Sequence, residues 1–187
     1  MTSPARKRDP VGRRRAIVEA AVELLLEGDG AELTHRRVAA RAGVPLGSTT
    51  QYFATLADLR TAALEQIAAA NEAGLVEIRE ALAAPDSGPD TLAALLHRYI
   101  ADEERLRADN ALWAAALRDA ELHRLVRHWY DGFTAVLRDH VSPPAAVALA
   151  VYLDGAAMHA SFHDEPLDLA SLAAVIAALS TVEGGEA

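Results

Sequence analysis

The chain contains no cysteine. Disulfides, thiolate zinc fingers and thiol nucleophiles are therefore excluded, and the absence fits a reducing cytoplasm. Long hydrophobic runs are missing too. The most apolar late segment, Leu169 to Leu179, is about half the length a bilayer-spanning helix needs. The stretch after the basic N-terminal residues is interrupted by Glu19, Glu23 and Glu27, which the apolar region of a signal peptide would not tolerate. A soluble, cytoplasmic chain with no membrane partner is expected. A Gly-rich phosphate loop, a nucleophile elbow and an HExxH helix are also absent, so an enzyme would have to rest on scattered carboxylates that form no constellation. No catalytic residue, cofactor or bound metal is expected.

What is present reads as helix throughout. The 187 residues are 51% hydrophobic, enough for a sizeable core in one domain or in a small module fused to a larger one. Arg13 to Glu27 places Ile17, Ala20, Ala21, Leu24 and Leu25 on one stripe, with Gly28-Asp29-Gly30 suited to a cap and turn. From Thr55 to about Leu82 a long helix repeats Leu59, Ala63, Ile67, Ala70, Gly74 and Ile78, until Pro85-Asp86-Ser87-Gly88-Pro89 breaks the chain. Leu92, Leu95, Leu96 and Tyr99 mark the next helix, and Leu122 through Leu137 form the cleanest amphipathic pattern. Pro143-Pro144 opens a final pair, about Ala145 to Phe162 and Leu167 to Val182. No strand is required, and the fold class is all-α.

Residues 33 to 53, LTHRRVAARAGVPLGSTTQYF, carry the strongest functional signal. Thr34 can cap a short helix whose Val38, Ala39 and Ala42 share a face. Gly43 follows where a left-handed turn is needed, Val44 offers an apolar plug, and Pro45 suits the first turn of a second helix running to Gln51. Gly47, Ser48, Thr49, Thr50 and Gln51 are small or polar and bury little apolar area, so they suit a surface that meets something. A helix-turn-helix lays such a second helix in the major groove; a plain helical hairpin would turn the same residues to water.

Charge supplies context. The whole chain has 18 Lys and Arg against 27 Asp and Glu, a net charge of -9. Residues 1 to 54, however, carry nine basic and six acidic side chains, whereas residues 55 to 187 carry nine basic and 21 acidic. A basic module (+3) on an acidic body (-12) fits docking on phosphate through one end. Arg6, Lys7 and Arg8 by themselves would read as a solvated tail.

The last helix pair is apolar around most of its circumference, and small side chains let helix axes approach closely. Pairing it with its counterpart in a second copy would make a four-helix bundle across a two-fold axis; central helices of a monomeric bundle are the alternative. The candidates for that face are Leu149, Leu153, Ala156, Ala157, Ala160, Leu172, Val175, Ile176 and Leu179.

A roofing helix, this helix-turn-helix, the Tyr52-Phe53 pair before an Asp58-Leu59 helix start, and an all-α acidic remainder together resemble the TetR family of transcriptional regulators. The likeness is specific over residues 13 to 64 and beyond that is one of helix layout. It implies a basic arm over 1–12, a three-helix DNA-binding domain over 13–54, and a ligand-binding and dimerisation domain over 55–187. A homodimeric repressor that binds a palindromic operator in double-stranded DNA and is released by a small-molecule effector is the implied function. The implied DNA contacts are Arg36 and His35 with Thr34 at the start of the first short helix, Gly47, Ser48, Thr50, Gln51 and Tyr52 from the second, and Arg13 and Arg14. Thr49 takes an inward position. Thr50 stands where the family commonly has an aromatic, and Leu56 where it has a phosphate-binding lysine. Losing one phosphate partner per subunit flattens the salt dependence by about one unit of slope, which the arm arginines are expected to offset.

Effector residues are less legible. His97, Tyr99, Trp113, Trp129, Phe133, Tyr152 and His159 could line a pocket, although most of them read better as plain core. His159 and His163 have metal-ligand spacing beside Asp164, but two imidazoles without a third ligand read better as ordinary histidines. The competing function class is a helical interaction or ligand-carrier protein that never meets DNA.

Overall fold

The computed structural model describes residues 9–27 and 33–183. Among these residues all regular structure is helical: α1 Pro10–Glu27, α2 His35–Arg41, α3 Leu46–Tyr52, α4 Leu56–Leu82, α5 Pro89–Ile100, α6 Glu103–Ala116, α7 Ala120–Arg138, α8 Pro143–Ala160 and α9 Leu169–Ser180. The basic run Arg6 to Arg8 and the turn Gly28-Asp29-Gly30 lie outside the described residues. No described helix is long and apolar enough to cross a membrane.

Helix starts follow side-chain chemistry. Asp9 accepts a hydrogen bond from the Gly12 amide at 2.9 Å, and α1 begins at Pro10. Helix thus replaces the last residues of the arm expected over 1–12, because Asp9 caps it and Pro10 is preset for a first turn. Thr34 caps α2 by accepting from the Arg37 amide at 3.2 Å. Gly43 takes φ +63°, and the Val44 amide donates back to the Ala39 carbonyl at 3.0 Å, closing the turn. Pro45 stands one place before α3. Thr55 and Asp58 exchange hydrogen bonds, each amide donating to the other's side chain at 3.1 Å, which sets the start of α4. Asp102, Asp119, Ser142 and Asp168 cap α6 to α9 in the same way. The α6 sequence has weak periodicity, and its bounds were not readable from spacing.

Two compact units divide the chain between Ala69 and Ala70, inside α4. The expected boundary after residue 54 is displaced because Leu59 and Ala63, both fully buried, pack into the core of the first unit with Ile17, Ala21, Val38 and Phe53. That core is joined at its edge by ion pairs from α2 to α1. Arg41 bonds Glu23 at 3.0 Å and also Glu27, and Arg37 lies 3.6 Å from Glu27.

In the second unit α5 packs most extensively against α9, with α6 on α7, α7 on α8 and α8 on α9. Leu92, Leu96, Phe133, Leu137, Leu149, Leu153, Leu172 and Ile176 form its centre. The face assigned to a second copy therefore needs correction. Leu149, Leu153, Ala156, Ala157, Leu172 and Ile176 are buried in the chain's own core, and Ala160 and Leu179 pack half-buried against it. Only Val175, 39% exposed, faces outward. The exposed apolar stripe of α8 lies on the other side of that helix: Val147, Val151, Gly155 and Met158, continued by Phe162 just past its end.

Replacing Gly43 by alanine is expected to destabilise the protein by about 1–2 kcal/mol, since a Cβ is disfavoured at positive φ. Urea unfolding at a fixed m-value checks this, and an asparagine at the same place should cost less.

Candidate functional site

The first candidate surface is built by α2, the Gly43 turn and α3. With α3 limited to seven residues, helical spacing splits it in two. Ser48 and Thr49 turn inward, 8% and 0% exposed, with Tyr52 half-buried beside them. Gly47, Thr50 and Gln51 turn outward and are exposed. The inward place expected for Thr49 is found, and its hydroxyl donates to the Leu46 carbonyl at 2.8 Å. Ser48, expected to face a groove, is instead buried, because position 48 shares the inward face with 49 and 52. Arg36 projects exposed from α2, while Thr34 and His35 are half-buried; the buried His35 Nδ1 has no hydrogen-bond partner among the described residues.

Charge at this surface is more selective than a count of basic residues implies. Arg37 and Arg41 engage carboxylates of α1, and Arg15 bonds Glu19 at 2.7 Å. Arg13, Arg14 and Arg36 are exposed and form no ion pair among the described residues. The Arg14 guanidinium also lies over the Phe53 ring at 5.1 Å, a cation–π contact that helps to hold it in place.

The second candidate is a cavity of about 410 Å³ inside the second unit. Four of the seven aromatic and imidazole candidates meet there: Tyr99, Trp113, Trp129 and Phe133. Trp129 stacks on Phe133 with ring centroids 5.2 Å apart. His97 and Tyr152 are not part of its wall, and neither is His159, whose ring stacks on His163 at 3.6 Å. Among the described residues no group of three or more potential metal ligands accompanies that histidine pair. Ala70, Gly74 and Ile78 also line the cavity, so the expected α4 stripe passes from core to cavity wall along its length.

Polar residues that spacing did not single out complete the wall. The Tyr99 hydroxyl donates to Asp109 at 2.9 Å, and Arg105 lies over the Tyr99 ring at 5.4 Å. Asp154 lies beside the Tyr130 hydroxyl. Burial raises the Asp109 carboxyl above the usual range, and it pushes Asp154 up to about 6. The same burial, with the neighbouring carboxylates, raises both tyrosine hydroxyls. A sequence signal for Asp154 existed: it is the one charged side chain in the otherwise apolar α8. Asp109, in the charge-rich α6, had none.

The raised Asp154 carboxyl has a definite sign. The folded state holds its proton more tightly than the unfolded chain does, so its contribution to stability declines as pH rises from about 4 to about 6. Asp154→Asn is expected to be at least as stable as the parent at neutral pH, and to lose part of the fall in melting temperature between about pH 5 and pH 7.5. Thermal unfolding across that range reads both effects.

No protein-family model matches the sequence. No curated protein matches it either. Solved structures do. The multidrug binding protein EbrR complexed with malachite green is 35% identical, with TM-score 0.73, covering 91% of this chain and 99% of that one. EbrR complexed with ethidium is 36% identical, with TM-score 0.68 and the same coverage of 91% and 99%. A TetR-family member, SCO1917 from Streptomyces coelicolor A3, is 36% identical, with TM-score 0.71, again covering 91% of this chain and 99% of that one. Likeness of this extent, over both the turn-linked α2 and α3 and the helices around the cavity, establishes that the chain belongs to the TetR family of transcriptional regulators.

Proposed function

We propose that the protein is a ligand-responsive repressor that binds a palindromic operator as a homodimer and leaves it when a small molecule fills the cavity of the second unit. The observation that carries the DNA-binding part is the outward face of α3. Gly47, Thr50 and Gln51 stand exposed beside Arg36, behind a turn fixed by Gly43. The glycine lets the helix approach base edges closely, Gln51 suits a paired donor and acceptor, and Arg36 suits a guanine edge or a phosphate. Arg13 and Arg14 supply phosphate contacts, and Thr34, His35 and Tyr52 position the elements that make them.

The exposed apolar stripe of α8 supports the homodimer. Val147 is 48% exposed, Val151 67%, Met158 47% and Phe162 79%, one above the other at helical spacing, with Gly155 permitting close approach. Val175 of α9 extends the apolar surface. A two-fold contact through this stripe gives two recognition helices for two half-sites, about 34 Å apart on the duplex. The aromatic cavity and the dyes named with EbrR support a small aromatic effector. Because α4 has residues in both units, it is the natural carrier of a ligand-induced change in recognition-helix spacing, and a coupling of about 1–3 kcal/mol changes operator affinity about 5- to 150-fold.

The test is a gel-shift assay with the DNA upstream of the coding region, which should hold a near-palindrome. The Arg36→Ala/Gln51→Ala double variant is expected to lose the shift while remaining dimeric; normal binding by that variant would sink the assigned interface. Val151→Glu is expected to halve the mass measured by light scattering and weaken operator binding at least about tenfold, a loss of about 1.4 kcal/mol or more.

A further inference from the structure

The cavity wall carries an imbalance of charge that its aromatic lining does not explain. Glu77, Asp102, Asp109 and Asp154 face Arg98 and Arg105, four carboxylates against two guanidinium groups. The two cations share one partner: Arg98 bonds Glu77 at 2.6 Å, and Arg105 lies 4.0 Å from it. Asp102 is occupied in capping α6, accepting from the Arg105 amide at 3.0 Å. Asp109 and Asp154 remain. Tyr99 of α5 donates to Asp109 and Tyr130 of α7 lies beside Asp154; neither carboxylate forms an ion pair among the described residues, although Arg105 is near enough to Asp109 to act on its charge. A neutral phenol beside a carboxylate cancels none of its charge.

Resting on the reading of this cavity as the effector site, we propose that the effector is a planar aromatic cation, its rings held by Trp113, Trp129 and Phe133 and its charge met by Asp109 and Asp154. The physical case has three parts. Two carboxylates in a partly desolvated, apolar enclosure interact with a cation far more strongly than they would in water. The faces of the tryptophan rings carry negative potential and favour cationic over neutral guests of equal area. A neutral or anionic guest of the same shape leaves the carboxylates uncompensated and loses their hydration besides. Arg105 opposes a cation and also acts on Asp109, but it is shared with Glu77 and the Tyr99 ring, and nothing comparable among the described residues lies at Asp154. The upward shift of both carboxyls comes from burial, the same loss of water that strengthens their attraction for a bound cation.

Both tryptophans of the chain, Trp113 and Trp129, line this cavity, so quenching of intrinsic fluorescence reports on it directly. The experiment titrates the full-length protein at pH 7.5 with ethidium and proflavin as cations and with acridine, neutral at that pH, as the uncharged counterpart, confirming affinities by calorimetry. Ethidium is expected to bind at least about tenfold more tightly than acridine, and Asp109→Asn and Asp154→Asn each to weaken ethidium about tenfold while changing acridine about twofold or less. Ethidium has a fixed charge, so a titration of the unaltered protein from pH 7.5 down to about 5 needs no variant and should show its affinity falling as Asp154 gains a proton. Equal affinity for acridine and ethidium, with no effect of either substitution, overturns the charge selection and leaves the effector cavity standing. Failure of all three compounds to quench or to give heat overturns the proposal together with the reading it rests on.

Discussion

The arrangement of this molecule depends on a single geometric constraint: a helix repeats every 3.6 residues, and burial of one face commits the opposite face to something else. In α3 the commitment is complete within two turns. Thr49 and Ser48 close against the first unit, and Gly47, Thr50 and Gln51 are thereby left outside. In α8, burial of Leu149, Leu153, Ala156 and Ala157 leaves Val147, Val151, Gly155 and Met158 exposed. Both surfaces proposed for binding are thus complements of a core, and their precision is that of the packing behind them.

Electrostatics divides in a similar way. The basic excess of the N-terminal segment is partly internal, since Arg37 and Arg41 tie α2 to the carboxylates of α1 and hold the turn-linked helices in place. Fewer arginines are left for phosphate than composition suggests, with Leu56 adding none where a lysine is usual in the family. In the second unit the inverse holds. Surface acidity is unremarked there, but two half-buried aspartates place negative charge where water is scarce, and location gives them their weight.

Much of this was legible in the residues. The Thr34 cap and the left-handed Gly43 are local chemistry, decided by neighbours within a few positions, and the inward place of Thr49 followed from the family resemblance. The all-α class followed from periodicity. Ser48 was misplaced because a small polar side chain tolerates either face, so only the phase of a short helix decides it. The outward face of α8 was misread because a helix apolar all round gives no phase at all; the positions of α5 and α9 choose which side is buried. The cavity's aromatics could be proposed, but its carboxylates could not, since Asp109 sits among other charges and acquires significance only when Tyr99 meets it from another helix.

Gly74 has a consequence for how such a cavity can change. An alanine Cβ there would lie 3.8 Å from Arg105 Nη2 and 4.0 Å from Trp129 Nε1, ordinary van der Waals spacing, and would favour the helix by about 1 kcal/mol. Nothing steric or conformational requires the glycine. The empty volume beside it is thus retained at the expense of helix propensity, and each larger residue at this one position would shrink the enclosure from the α4 side while the core of Leu149, Leu172 and Ile176 stayed as it is. At this position the size of the enclosure can be reduced without disturbing the core, and the alanine that does so also strengthens the helix.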